Sequence, residues 1–178
     1  PSYSADFNKG LTAAQNGDYA TALKEWKPLA KEGDEVAQHN LGLMYDQGLG
    51  VPQDYKEAVR LYTLAAEQGH AKAQTNLGQL YRKGFGVPRD TKEAVRLWEL
   101  SAEQGDAQAQ YNLGLMYALG EGVPQDHVYA HMWWNIAAST GDDSAKKNKK
   151  IVEKKMTSSQ IEEAQRLARE CVKKNLQG

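Results

Sequence analysis

Cysteine is nearly absent: the 178-residue chain holds one, Cys171, which excludes an internal disulfide framework and any cysteine-based zinc site. No apolar run reaches the roughly 18 residues that a membrane span requires. There is no excess of one charge either. Twenty-two Lys and Arg stand against 23 Asp and Glu, a net charge of −1, which argues against a dedicated nucleic-acid binder. Proline is scarce, with five residues, and glycine is not, with 16. The remaining composition, 40% apolar and 25% charged, is that of a folded globular chain of one domain or two small ones.

The glycines are periodic. Residues 35–70, 71–106 and 107–142 form three blocks of 36 residues in phase, the first two identical at 22 positions, and 12 of the 16 glycines fall at four fixed places in those blocks. Such a period is the signature of a tandem helical array. Within a block, Ala37, Leu41 and Tyr45 line one face of a first helix. Gly42 interrupts that helix at a cost of roughly 1 kcal/mol relative to alanine, so its return at Gly78 and Gly114 points to close helix packing. A turn, Gly48-Leu49-Gly50-Val51-Pro52, precedes a second helix. Asp54 with Glu57, and Asp90 with Glu93, read as capping boxes, whereas Tyr129 leaves only the Asp126 cap in the last block. Ala58, Leu61, Tyr62 and Ala65 form the apolar face of the second helix, which ends at Gly69.

The flanks are divergent. In residues 1–34, Asp18, Tyr19, Trp26 and Gly33 keep the second-helix pattern, with Pro28 expected to kink that helix. Residues 143–155 read as a lysine-rich helix. Thr157 and Gln160 then offer a capping box for a last helix to about Asn175, with Cys171 as a buried, inert thiol on its apolar stripe. About ten helices in five antiparallel pairs result, and the end units differ because they face water.

The pattern AxAQxNLGxxYxxGxGVPxDxxxAxxxxxxAAxxG resembles the Sel1-like repeat, a relative of the tetratricopeptide repeat, over residues 35–142. The resemblance implies an all-α fold, a right-handed α-solenoid of antiparallel helix pairs running as one domain over 1–178, with 1–34 and 143–178 as end units. It also implies a bacterial, non-enzymatic scaffold that binds a protein or peptide in a concave groove lined by the first helices, without a cofactor. Asn8, Asn40, Asn76 and Asn112 share the position that holds a peptide main chain in tetratricopeptide clamps. An Asn amide supplies donors and an acceptor, and so can satisfy a backbone without reading its side chains. Lys72, Gln79, Arg82 and Lys83 occupy groove-facing offsets of the middle block. The clamp's usual lysine offsets hold His39, Thr75 and Tyr111, which departs from a carboxylate clamp. Leu43 and Leu115, with Phe7, Leu11, His39, Tyr111 and Leu119, would form an apolar strip. The alternative is that the Asn and Leu rows serve the repeat itself.

Catalytic patterns are weak. His127 and His131 lie four apart, as a zinc pair can, but as HVYAH rather than HExxH and with no third ligand apparent. His39 and His70 are expected to be separate. The GxG pairs lack the following residues of a phosphate loop, and no G-x-S-x-G elbow occurs. Asp34-Glu35 and Asp142-Asp143 read as caps. Trp26, Trp98 and Trp134 share a core position with Tyr62, and Trp133 either fills an interface or forms an aromatic patch.

Charge is unevenly placed, +5 over 143–178 and −6 over 1–142, with Lys146, Lys147, Lys149, Lys150, Lys154 and Lys155 crowded together. Two other functions therefore stand beside the groove: assembly through that basic end, and a cell-envelope hydrolase or β-lactam-binding activity known in a cysteine-rich branch that this chain does not match. The opening segment, from Ala5 to Ala30, resembles the start of exported mature bacterial members, which gives a periplasmic or secreted location as the expectation, and a cytoplasmic one otherwise.

Overall fold

The computed structural model describes residues 5–176, which form ten α-helices. Their contacts divide the chain into two compact units, Pro1–Arg89 and Asp90–Gly178.

The first unit comprises α1 (Phe7–Gln15), α2 (Tyr19–Glu32), α3 (Glu35–Gln47), α4 (Tyr55–Glu67) and α5 (Ala71–Lys83), each packed on the next. Side chains fix the starts: Asp6, Asp18, Asp34, Asp54 and His70 each accept a backbone N–H of the following first turn. Helix α2 continues through Pro28 to Glu32. Trp26, Leu41, Met44 and Leu61 centre the core, and Tyr62 is fully buried.

The mid-helix glycine has the packing reason its recurrence suggested. A Cβ on Gly42 would stand 2.8 Å from the Tyr62 ring, and one on Gly10 2.5 Å from the indole of Trp26. The large second-helix ring thus lies flat against the first helix of its own pair. The second glycine of the turn works differently. Gly86, at φ 74°, sits against the Tyr55 carbonyl at the start of α4, where any Cβ would collide with main chain.

The Ala-Gln pair of the repeat also has a structural task. Gln38 and Gln74 are buried, and their Nε2 groups donate to the carbonyls of Ala30 (3.1 Å) and Ala66 (3.2 Å). Each adds a second hydrogen bond to a last-turn carbonyl of the preceding helix, which already accepts from the N–H of Gly33 or Gly69.

The second unit comprises α6 (Thr91–Glu103), α7 (Ala107–Leu119), α8 (His127–Ser139), α9 (Asp143–Glu153) and α10 (Ser158–Leu176). Helices α6, α7, α8 and α9 pack in sequence, and α10 lies against α8. Gln110 repeats the carbonyl bond, to Ala102 at 3.2 Å. Trp134 covers Gly114 and donates from Nε1 to the Tyr111 carbonyl at 3.1 Å. Trp98, Trp133 and Trp134 are all buried, so Trp133 fills an interface and forms no surface aromatic patch.

Three expectations change in detail. Asp54 and Asp90 cap their helices, but Glu57 and Glu93 do not reach back. Each instead makes a two-pronged ion pair with Arg60 or Arg96 one turn on, and the Asp54 N–H that a box would use already donates to the Tyr45 carbonyl at 2.9 Å. The reciprocal box does form at α10, where Thr157 N–H donates to Gln160 and Gln160 N–H to Thr157. Cys171 is half-buried rather than buried, with its thiol pushed up chiefly by partial burial.

Candidate functional site

In the first unit, Asn40 on α3 and Asn76 on α5 are half-buried and joined by one imidazole. His39 Nδ1 lies 3.2 Å from Asn40 Oδ1, and His39 Nε2 lies 3.2 Å from Asn76 Nδ2. A neutral ring that donates from Nδ1 and accepts at Nε2 satisfies both contacts. Nearby, the Tyr62 hydroxyl donates to Asp46 Oδ2 at 3.2 Å. Burial holds the Asp46 carboxyl above its ordinary range and the Tyr62 phenol far above its own.

His39 does not line an open apolar strip, as its offset suggested. It is 8% exposed, and its ring stacks on that of His70 with centroids 4.6 Å apart. The expectation that the two histidines are separate is therefore corrected. His70 stands at the helix-capping position that Asp34, Asp106 and Asp142 hold in the other repeats, and its Nδ1 accepts from Ala73 N–H at 3.2 Å. That cap brings the His70 ring over α3. Burial, then the neighbouring His70, pushes His39 down to about 4; burial also lowers His70, against the pull of Glu35.

The other candidate residues of this unit surround that network more loosely. Leu43, Gln79 and Arg82 are half-buried, and Lys72 is exposed. Lys83 is exposed, with its Nζ 5.7 Å from the centre of the Phe85 ring. Asn8 is exposed on α1, outside the network.

In the second unit the same repeat position behaves differently. Asn112 is buried and accepts from Gln108 Nε2 at 3.1 Å, and Tyr111 is half-buried with its hydroxyl accepting from Asn148 at 3.2 Å. Leu115 and Leu119 do meet in an apolar pocket of about 200 Å³, floored by Trp134 and Val152 and joined by Ile151 and His127. Leu119 and Ile151 are largely exposed.

The His127/His131 pair is not arranged around a shared ligand position. His131 is fully buried and donates from Nε2 to Glu153 Oε1 on α9 at 2.9 Å. Its equivalents one and two repeats earlier are Val95 and Val59. The repeat alignment alone thus marks position 131 as interior, where a histidine needs a partner. Asp46 and Tyr62 carried no comparable signal: Tyr62 reads as part of the second helix's apolar face, and Asp46 belongs to no motif of the sequence.

Three Sel1 repeats match the Sel1 repeat family profile, over residues 36–70, 71–106 and 107–142. Among solved structures, a Sel1 repeat protein from Oxalobacter formigenes matches with TM-score 0.77 and 33% identity, over 81% of this chain and 59% of that one. The protein c5321, a protective antigen of uropathogenic Escherichia coli with an SLR fold, matches with TM-score 0.75 and 37% identity, over 78% of this chain and 31% of that one. The chain thus spans well under two thirds of the length of either. Comparison with curated proteins gave no match. With three in-phase repeats and ten helices matching SLR structures, the chain belongs to the Sel1 repeat family.

Proposed function

We propose that this chain is a non-enzymatic scaffold that holds an extended peptide segment of a partner protein across α3 and α5, with Asn40 and Asn76 bonding its main chain. Sel1 repeat proteins are generally protein-interaction scaffolds, and the reading is in keeping with that family property. The observation that carries it is the Asn pair itself. Two amides at one repeat position, both half-buried, are anchored from behind by His39 and keep polar edges to spare. The apolar pocket at Leu115 and Leu119 supports a separate contact for a partner's apolar side chain in the second unit. Export to the periplasm or beyond belongs to the same proposal, and fractionation of the natural producer checks it.

The test uses a peptide selected on the wild-type chain from a random twelve-residue phage library. Replacing both Asn40 and Asn76 by Ala should weaken its binding about tenfold or more, at roughly one net hydrogen bond's worth per amide, with an unchanged circular dichroism spectrum. Equal affinity would rule out main-chain capture by this row.

A further inference from the structure

We propose that the seam between α8 and α10 is a binding site for a small monocarboxylate with an apolar body, of the medium-chain fatty acid class. The site lies wholly in the second unit and is independent of the Asn pair.

Helix α10 carries an apolar stripe at four-residue spacing, Ala164, Ala168 and Val172. Its burial falls along the helix. Ala164 is completely buried and Ala168 is 4% exposed, but Val172 is 39% exposed. Because α10 lies against α8, the seam between them is closed at Ala168 and open one turn later. The opening is a pocket of about 380 Å³, with Ile136, Ala168 and Val172 as its apolar floor and with Asn135, Arg169 and Lys173 among its polar groups. Sites for small molecules are mostly apolar, reach this size and occur between packed helices.

The charged groups of the pocket are both cations, and no carboxylate lines it. Arg169 and Lys173 stand four apart on one face of α10, with Cβ atoms roughly 5–6 Å apart, so one carboxylate can meet both. Helix α10 does supply carboxylates, but they go elsewhere: Glu163 and Glu170 both pair with Arg166. Among the described residues no ion pair engages Arg169 or Lys173. Asn135 accepts from Lys149 Nζ through Oδ1 at 3.0 Å, so its Nδ2 remains a donor beside the two cations. A neutral apolar molecule would use the floor and not the cations, and a hydrophilic anion would use the cations and not the floor. One negative charge on an apolar chain uses both.

Titration of the 15N-labelled chain with octanoate, below its micelle concentration, tests this. The Asn135 NH2 signals and the amides around Val172 should shift saturably. Octanamide, which lacks the charge, and acetate, which lacks the apolar chain, should each bind at least about fivefold more weakly. Replacing Arg169→Gln and Lys173→Gln together should weaken octanoate about fivefold or more and leave octanamide within about twofold. Both side chains are exposed, so the circular dichroism spectrum should not change. Arg166→Gln also removes a positive charge from α10, but outside the pocket, and should leave octanoate within about twofold. Absence of saturable octanoate binding, equal affinity for octanamide, or a double variant that binds octanoate as tightly as the wild type overturns the site. So does an equal loss in Arg166→Gln, which would mark a response to net charge alone.

Discussion

At the scale of single residues, two histidines carry the clearest consequences. His39 is held neutral by burial, down to about 4 against an ordinary 6.5. Between those values the unfolded chain binds a proton that the folded chain refuses. Stability is therefore full above about pH 6.5 and falls as pH drops toward 4. The loss from this ring between pH 7 and pH 5 should be roughly 2 kcal/mol. Urea unfolding at the two pH values measures it, and His39→Phe should flatten most of the difference. His131 is the second case. Glu153→Ala strands its buried imidazole N–H and should cost about 1–3 kcal/mol. His131→Val restores the residue type of the other repeats, and should cost much less, or stabilise. Equal losses for the two would mean that the ion pair itself, not the stranded donor, matters. The repeat alignment made position 131 legible as interior. It could not show Glu153, because α9 lies outside the repeats and its register on α8 is a matter of tertiary packing.

At the scale of elements, the repeat glycine is the most informative position. Gly42→Ala should lower stability by about 1–3 kcal/mol, although alanine raises helix propensity by roughly 1 kcal/mol. The Tyr62 ring that a Cβ would strike is fully buried and cannot swing away. Chemical denaturation measures this, and a stabilised variant would contradict the packing argument. Helix positions, caps and the Trp and Tyr anchors were legible in the sequence, since period, cap residues and glycines all point the same way. The half-formed boxes at Asp54 and Asp90 were not. Glu57 and Glu93 have the right spacing for the box, but Arg60 and Arg96 three residues on hold their carboxylates, and the Asp54 N–H is taken by the Tyr45 carbonyl, a contact across the turn that spacing does not reveal. The stacking of His39 on His70 was missed for a related reason. The cap position of the second block carries an imidazole where its siblings carry a carboxylate, and a cap's ring has reach that a cap's carboxylate lacks.

At the scale of the whole molecule, family membership and an all-helical fold are established, while partner choice rests on the surface. The chain's charge of −1 conceals a basic end segment. Two of its crowded lysines are already engaged, Lys146 with Asp143 and Lys149 with Asn135. Replacing all six with Gln should therefore leave peptide affinity within about twofold at physiological salt, where exposed charges are screened beyond ~8 Å. A collapse of binding in that variant, with the Asn pair dispensable, would move the site to the basic end. The most direct test of main-chain capture is a side-chain amide spectrum of 15N-labelled protein during titration with the selected peptide. The Asn40 and Asn76 NH2 signals should shift saturably and together, with the Asn112 signal still. Saturable binding that leaves Asn40 and Asn76 unmoved would contradict the account.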